Sequence, residues 1–142
     1  THINDKVATI YTIIKAVKEN TQGINSENKI MNFTYWDRSK FTQRNIIDAM
    51  ALIKKSAWEE VNGYDNIVGG WEDYDFWCKL MECGYSGIIC PQILAKYNIH
   101  KTSMINTMTS KKSRQISRHL QEKHPWLNLP MANEHTMMMG DE

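Results

Sequence analysis

The spacing of apolar and polar residues along this 142-residue chain changes from one segment to the next. Residues 6–17 are rich in β-branched side chains and predict a strand. Residues 46–53 are apolar except for Asp48, which predicts a strand buried on both faces. Residues 31–36 predict another strand, and the polar stretch 19–29 predicts a hairpin or loop.

Helix signals dominate the second half of the chain. Ser56 and Glu59 have the spacing of a capping box, which predicts a short helix over residues 56–61. The other predicted elements are a helix over 72–82 that stops at Gly84, short strands over 85–90 and 92–99 around Pro91, and a long basic helix over 103–123. This order predicts an α/β fold with a mixed sheet and flanking helices.

The same pattern predicts how the chain divides. We expect a single domain over residues 1–127. Residues 128–142 are rich in Met and have no periodicity, so we expect a mobile tail there.

Composition and charge narrow the classes of protein that this chain can be. With 42% hydrophobic and 23% charged residues it has enough apolar material for a folded core. Its net charge of +1 gives no global field that would attract nucleic acid. No run approaches the roughly 20 apolar residues of a membrane helix. We therefore expect a cytoplasmic protein whose contact with a membrane, if any, is peripheral and on the cytoplasmic side.

Cysteine usage and the basic helix add little chemistry. Cys78, Cys83 and Cys90 match no common zinc spacing, and we interpret them as small buried thiols in a reducing compartment. The basic helix over 103–123 is interpreted as a solvent-exposed face, with contact to nucleotide-sugar phosphates or an anionic membrane surface as the alternative.

The acidic residues that open the helix predicted over 72–82 point in different directions. At 100° per residue, Asp73 falls in the middle of the apolar face, whereas Asp75, Lys79 and Glu82 fall on the solvent side. The helix dipole stabilises acids in a first turn by roughly 0.3–1 kcal/mol, which explains Asp75. An inward carboxylate needs a partner or a cleft, so Asp73 is a candidate general base. Positions i and i+2 are about 200° apart, which opposes Asp73 and Asp75 as one metal-binding Asp-x-Asp motif.

An ordered set of elements resembles the family-2 glycosyltransferases, which have the GT-A fold. In that family a strand leads to a short helix, then to a Gly-Gly-aromatic-acid turn, a Glu-Asp pair that opens the next helix, and a strand ending in Tyr-x-x-His. The resemblance covers roughly residues 44–105. The matching residues are 45–55, 58–65, Gly70-Trp71-Glu72-Asp73 with 74–77, Gly84, Pro91 and Tyr97-Asn98-Ile99-His100.

The resemblance implies an inverting transfer of a sugar from a nucleotide-sugar donor to a saccharide or lipid-linked acceptor. Asp73 and Glu72 would be the catalytic carboxylates, with Asp73 taking the proton of the attacking hydroxyl. Glu72 or the backbone around Gly70 and Trp71 would hold the acceptor. The Trp71 ring either stacks on a sugar or packs at the base of the loop. His100 would help hold a divalent metal, Mn²⁺ or Mg²⁺, on the donor diphosphate.

The sequence has no counterpart of the donor-binding half of that family, which ends in an Asp-x-Asp metal motif. We therefore expect a fragment that carries the acceptor side and is inactive by itself. The apolar face that such a fragment exposes predicts self-association. The alternatives are a non-catalytic saccharide-binding or assembly module and, third, a generic α/β domain with a capped acidic helix.

Overall fold

The computed structural model describes residues 5–19, 25–100 and 110–130. Within these ranges the chain forms a mixed four-stranded sheet with three α-helices, as predicted for the fold class. The strands are β1 (Val7–Glu19), β2 (Asn25–Met31), β3 (Ala51–Ile53) and β4 (Ser86–Ile99), and the α-helices are α1 (Lys55–Glu60), α2 (Glu72–Glu82) and α3 (Ser110–Lys123).

Strand β1 is the centre of the sheet. It pairs in parallel with β4 along most of its length. Its other edge is shared, because β3 pairs antiparallel with residues 9–11 and β2 pairs antiparallel with residues 14–19. After β2 the chain leaves the sheet, and it comes back as β3 beside the same edge of β1. Residues 32–50 make this excursion, and they form much of the candidate site described below.

Aromatic side chains join the sheet to α2. The Trp36 ring lies 6.5 Å from that of Tyr11 on β1 and 6.0 Å, edge-on, from that of Trp77 on α2, measured between ring centroids. The Trp77 indole also donates a 3.0 Å hydrogen bond to the carbonyl of Ile47. Because Tyr11 and Trp77 are fully buried, this cluster fixes α2 against both the sheet and the excursion.

The bounds of α2 agree with the predicted helix over 72–82, and Glu82 is exposed as predicted, but the predicted exposure of Asp75 and Lys79 is wrong. Asp75 is fully buried, and its carboxylate contacts His124 Nε2 at 2.6 Å and Lys123 Nζ at 2.8 Å. The side chain of Lys79 is only 13% exposed. The prediction assumed that α2 has one buried side. The end of α3 covers its second side and supplies the positive charges that the Asp75 carboxylate needs.

The predicted strand over 46–53 is shorter than expected. Only β3 is extended, and Leu52 within it is 74% exposed rather than buried. The strand begins only after Asp48, because the Asp48 carboxylate accepts the Met50 N–H at 2.9 Å and turns the chain.

Two further local predictions are wrong. The strand predicted over 31–36 does not form, because β2 already ends at Met31 and Asn32 has a left-handed φ of 59°. Helix α1 begins at Lys55 and no side-chain hydrogen bond caps it, so Ser56 lies in the first turn and the predicted capping box is absent.

The two short strands predicted around Pro91 are one strand, β4. Its register with β1 jumps from the pair Thr12 and Cys90 to the pair Ile13 and Ile93, so Pro91 and Gln92 form a bulge. A bulge accommodates proline because the residue has no N–H to donate to the ladder.

The end of the chain is described in part. Of the basic helix predicted over 103–123, residues 103–109 lie outside the described residues and the rest forms α3. Of the predicted mobile tail, Leu129 packs against α3, where it is 2% exposed and its N–H donates to Gln121 Oε1 at 2.9 Å. Residues 131–142 lie outside the described part.

The cysteines differ from one another in exposure. All three cysteines are free, but only Cys78 is buried, Cys90 is half-buried, and Cys83 is exposed, so the prediction of burial is wrong for Cys83. None of the helices in residues 5–19, 25–100 and 110–130 is both long and apolar enough to cross a bilayer. The sheet leaves Leu52, Ile93 and Leu94 more than half exposed, and self-association through such a surface stays a prediction.

Candidate functional site

A cavity of about 920 Å³ lies where the excursion, the start of α2 and the end of β4 meet. This volume is at the upper end of the range for small-ligand sites. Its walls are residues 30–34, 43–49, 71–74, Tyr97, Ile99, Ser117 and 129–130. The cavity therefore brings together segments that lie far apart in the sequence.

A strained turn leads into this cavity. Gly69, Gly70 and Trp71 have consecutive positive φ values of 110°, 108° and 68°. Glycine adopts these angles freely, but tryptophan in the left-handed region stores about 1–3 kcal/mol of strain. The turn starts α2 at Glu72 and puts the half-buried Trp71 in the cavity wall. Strain of this kind persists where the surrounding structure holds it in place, and it is concentrated at functional sites.

Asp73 is held in the cavity wall by two hydrogen bonds. Asn45 donates from Nδ2 to Asp73 Oδ2 at 3.0 Å, and the Tyr74 N–H donates to Asp73 Oδ1 at 2.8 Å. The pKa of the Asp73 carboxyl is raised to about 6. Burial is the main cause, and the negative charges of Asp48 and Glu72 raise it further, against the two hydrogen bonds. A carboxyl group with this pKa is largely ionised at neutral pH and remains a useful proton acceptor.

Glu72, Trp71 and Gly70 contribute in different ways. Glu72 is half-buried in the cavity wall beside Asp73. The Trp71 ring lies 6.3 Å from that of Tyr74, so it has both a packing contact and a place in the wall. Gly70 is buried behind the wall and its N–H donates to the Ile67 carbonyl at 3.1 Å. That N–H is therefore engaged in the turn, which gives Gly70 a conformational role at the site.

Sequence reasoning missed Asp48 and the two asparagines around it. Asp48 lines the cavity, and its N–H donates to Asn32 Oδ1 at 2.8 Å. Asn32 also lines the cavity and is 95% buried, since only 5% of its surface is exposed. The available signal was an acid interrupting an apolar run, preceded at three residues by Asn45. The run by itself predicts a strand buried on both faces, with Asp48 as its one exception.

Asp73 and Asp75 diverge as the helical geometry predicts. Asp73 lines the cavity, whereas Asp75 is buried on the other side of α2 against His124. The pKa of Asp75 is lowered because the hydrogen bonds from His124 and Lys123 outweigh the effect of burial, which raises it. The two carboxylates therefore cannot bind one ion together.

The structure places His100 directly after β4, exposed and outside the cavity wall that Ile99 and Tyr97 help to form. Among residues 5–19, 25–100 and 110–130, no group of three or more His, Cys, Asp or Glu side chains is arranged to hold a metal ion. The described residues thus do not fit a complete metal site. The metal and the role of His100 stay predictions.

Comparison with known proteins leaves the family open. No protein-family model matches the chain, and no curated protein matches it. The resemblance to family-2 glycosyltransferases consequently rests on the residues quoted for it.

Proposed function

We propose that this chain carries the acceptor side of a GT-A-like, inverting glycosyltransferase of family 2. The observation that supports the proposal most strongly is Asp73, a carboxylate with a pKa raised to about 6 in the wall of a large cavity. A half-buried carboxylate with a perturbed pKa in a cleft is a candidate for acid–base chemistry. Its position in the first turn of α2, one residue beyond a strained Gly-Gly-Trp turn, is the arrangement that the resemblance implies.

In the proposed reaction Asp73 acts as the general base. It takes the proton of an acceptor hydroxyl while that oxygen attacks the anomeric carbon of a nucleotide-sugar. The bond from this carbon to the nucleoside diphosphate breaks, and the diphosphate leaves with the electron pair. The proton is then on Asp73, and the anomeric configuration is inverted. The hydrogen bond from Asn45 holds the carboxylate in one orientation for this transfer.

The neighbouring residues suit the acceptor. A sugar ring has apolar C–H faces and polar hydroxyl edges, so it fits a wall that combines aromatic rings with carboxylates. Trp71 supplies the ring and Glu72 the second carboxylate. A nucleotide-sugar donor and a divalent metal are the other reaction partners in this proposal.

The test is the variant Asp73→Asn, made in the protein expressed from its complete natural reading frame. Sugar transfer is measured with a panel of nucleotide-sugars in the presence of Mn²⁺ or Mg²⁺. We expect transfer to fall by roughly 10²–10⁴-fold, because an amide cannot take the proton. The matched control, Asp5→Asn, changes an exposed aspartate outside the cavity and should leave the rate unchanged.

The same experiment separates the alternative function. A protein that binds saccharides in the cavity but transfers no sugar from any donor would favour the non-catalytic saccharide-binding module. Undiminished transfer by Asp73→Asn would remove Asp73 from the mechanism.

A further inference from the structure

We propose that Asn32 determines acceptor specificity by donating a hydrogen bond from Nδ2 to one oxygen of the acceptor sugar in the cavity. This inference rests on the proposed function, since it names the ligand of that site as a saccharide. It adds a residue from the end of β2, far in sequence from the Glu72-Asp73 pair.

The side-chain amide of Asn32 has one group, its NH₂, whose hydrogen bond no described residue accepts. Its Oδ1 accepts the Asp48 N–H at 2.8 Å, which assigns the oxygen of the amide and puts Nδ2 on its other side. Nδ2 is buried and has no hydrogen-bond partner among the residues that the structure describes. Asn32 lines the cavity and is only 5% exposed.

A buried donor without a partner is unfavourable, and proteins rarely keep one without a reason. The other asparagine in the wall shows the contrast. Asn45 donates to Asp73 and accepts the Ile47 N–H at 3.3 Å, so both ends of its amide are used. The unused donor of Asn32 is therefore the part of the wall whose hydrogen bond awaits a ligand.

The charges of the wall favour a neutral hydroxyl as that ligand group. The described lining holds the carboxylates of Asp48, Glu72 and Asp73 against one guanidinium, Arg44, so it disfavours an anion. A hydroxyl accepts from Nδ2 and donates its own hydrogen to a carboxylate. Asp48 is close to both groups, because its N–H contacts Asn32 and its charge raises the pKa of Asp73. Asn32 and Asp73 line the same cavity, and in this proposal one hydroxyl-rich ring engages both.

Because Nδ2 is buried, a ligand can contact it only if side chains of the wall move. Ile30 and Phe33 are close to Asn32 in the chain, line the cavity, and are 52% and 64% exposed. Exposed side chains change rotamer at little cost, whereas the Asn32 amide is held by Asp48. Ligand entry thus moves the wall and leaves the donor in place.

The test measures binding of methyl glycosides of the common hexoses and N-acetylhexosamines, and of their monodeoxy derivatives, to this chain by saturation-transfer NMR. Asn32→Asp keeps the oxygen that accepts the Asp48 N–H and removes the donor. Asn32→Gly removes the whole side-chain amide, donor and acceptor, without adding a charge, and glycine tolerates the φ of 59°. Asn62→Gly is the matched control, because Asn62 has the same φ of 59° but is exposed and outside the cavity wall.

We expect removal of one particular hydroxyl to weaken binding to the unchanged chain about tenfold. Both Asn32 variants should bind the parent glycoside about tenfold more weakly and should no longer distinguish that deoxy derivative. The Asn62 control should behave like the unchanged chain. Without any variant, the Asn32 side-chain NH₂ signal of the unchanged chain should shift when the parent glycoside is added and should not shift with that deoxy derivative.

The outcomes separate this inference from the proposed function. If both Asn32 variants bind and discriminate like the unchanged chain, or if the NH₂ signal does not move on saturation, the inference fails while the role of Asp73 stands. If the unchanged chain binds none of the glycosides, the inference and the saccharide site fail together.

Discussion

Asn45 donates a 3.0 Å hydrogen bond from Nδ2 to Oδ2 of Asp73, and so joins the irregular excursion between β2 and β3 to the first turn of α2. The bond favours the ionised carboxylate and opposes the effect of burial on its pKa. The orientation and the basicity of Asp73 therefore both depend on a residue 28 positions away in the sequence.

Asn45→Ala should raise the pKa of Asp73 further above its value of about 6, because the variant removes a hydrogen bond to the charged form. The rise should be only a part of the total shift, because the bond from Asn45 is the smallest of the effects on the Asp73 pKa. The measurement is a ¹³C NMR titration of the Asp73 carboxyl group. Asn66→Ala, an exposed asparagine outside the cavity, is the control, and an unchanged Asp73 titration in Asn45→Ala would show that the bond has no electrostatic effect.

The strain at the left-handed φ of Trp71 can be measured as a difference in stability between two variants. Trp71→Gly and Trp71→Ala remove the same ring, but only glycine adopts a φ of 68° without penalty. The glycine variant should be more stable to urea than the alanine variant by about 1 kcal/mol. The control pair is Glu59→Gly and Glu59→Ala on α1, where alanine should be the more stable. Equal stability of the two Trp71 variants would mean that the turn relaxes and carries no strain.

His124 should make stability depend on pH. Burial lowers its pKa, but hydrogen bonds to Asp75 and Glu82 outweigh this and raise it above the usual 6.5. The folded state then holds the proton more tightly than the unfolded chain. The resulting stability is fully present below about pH 6.5 and is lost as the pH rises through the folded pKa.

The check is urea unfolding at a series of pH values on both sides of neutrality. His124→Gln should remove the loss of stability on the alkaline side and should lower stability by roughly 3 kcal/mol at pH 6, because it leaves Asp75 short of a partner. His119→Gln, an exposed histidine on α3, should keep the wild-type pH dependence. A pH dependence that survives in His124→Gln would place its origin elsewhere.

Substitution of Gly87 tests the packing of β4 against the aromatic cluster. A Cβ at this position would overlap the Trp36 ring and approach Thr9 Cγ2 to 2.8 Å. Gly87→Ala should therefore destabilise the fold by about 1–3 kcal/mol in urea unfolding. Ser86→Ala, the adjacent position on the opposite face of β4, should have a small effect. Wild-type stability in Gly87→Ala would contradict the described contact between β4 and Trp36.

The periodicity of the sequence predicted those features that depend only on neighbouring residues. The bounds of α2, the divergence of Asp73 from Asp75 and the strand β1 follow from helical and strand periodicity. The burial of Asp75 does not, because it requires His124, which lies 49 residues away. The place of Asp48 in the cavity wall is not predictable for the same reason. Its contact with Asn32 exists only because β2 and β3 share an edge of β1. A single sequence carries no signal for such contacts.

The most direct test of the central claim is the pH dependence of kcat/KM for sugar transfer in the protein from its complete reading frame. If Asp73 is the base, kcat/KM should rise with pH through an apparent pKa near 6 and level off above it. The residual activity of Asp73→Asn should lack this rise, while Asp5→Asn should retain it. A wild-type rate with the same pH dependence in Asp73→Asn would contradict the account.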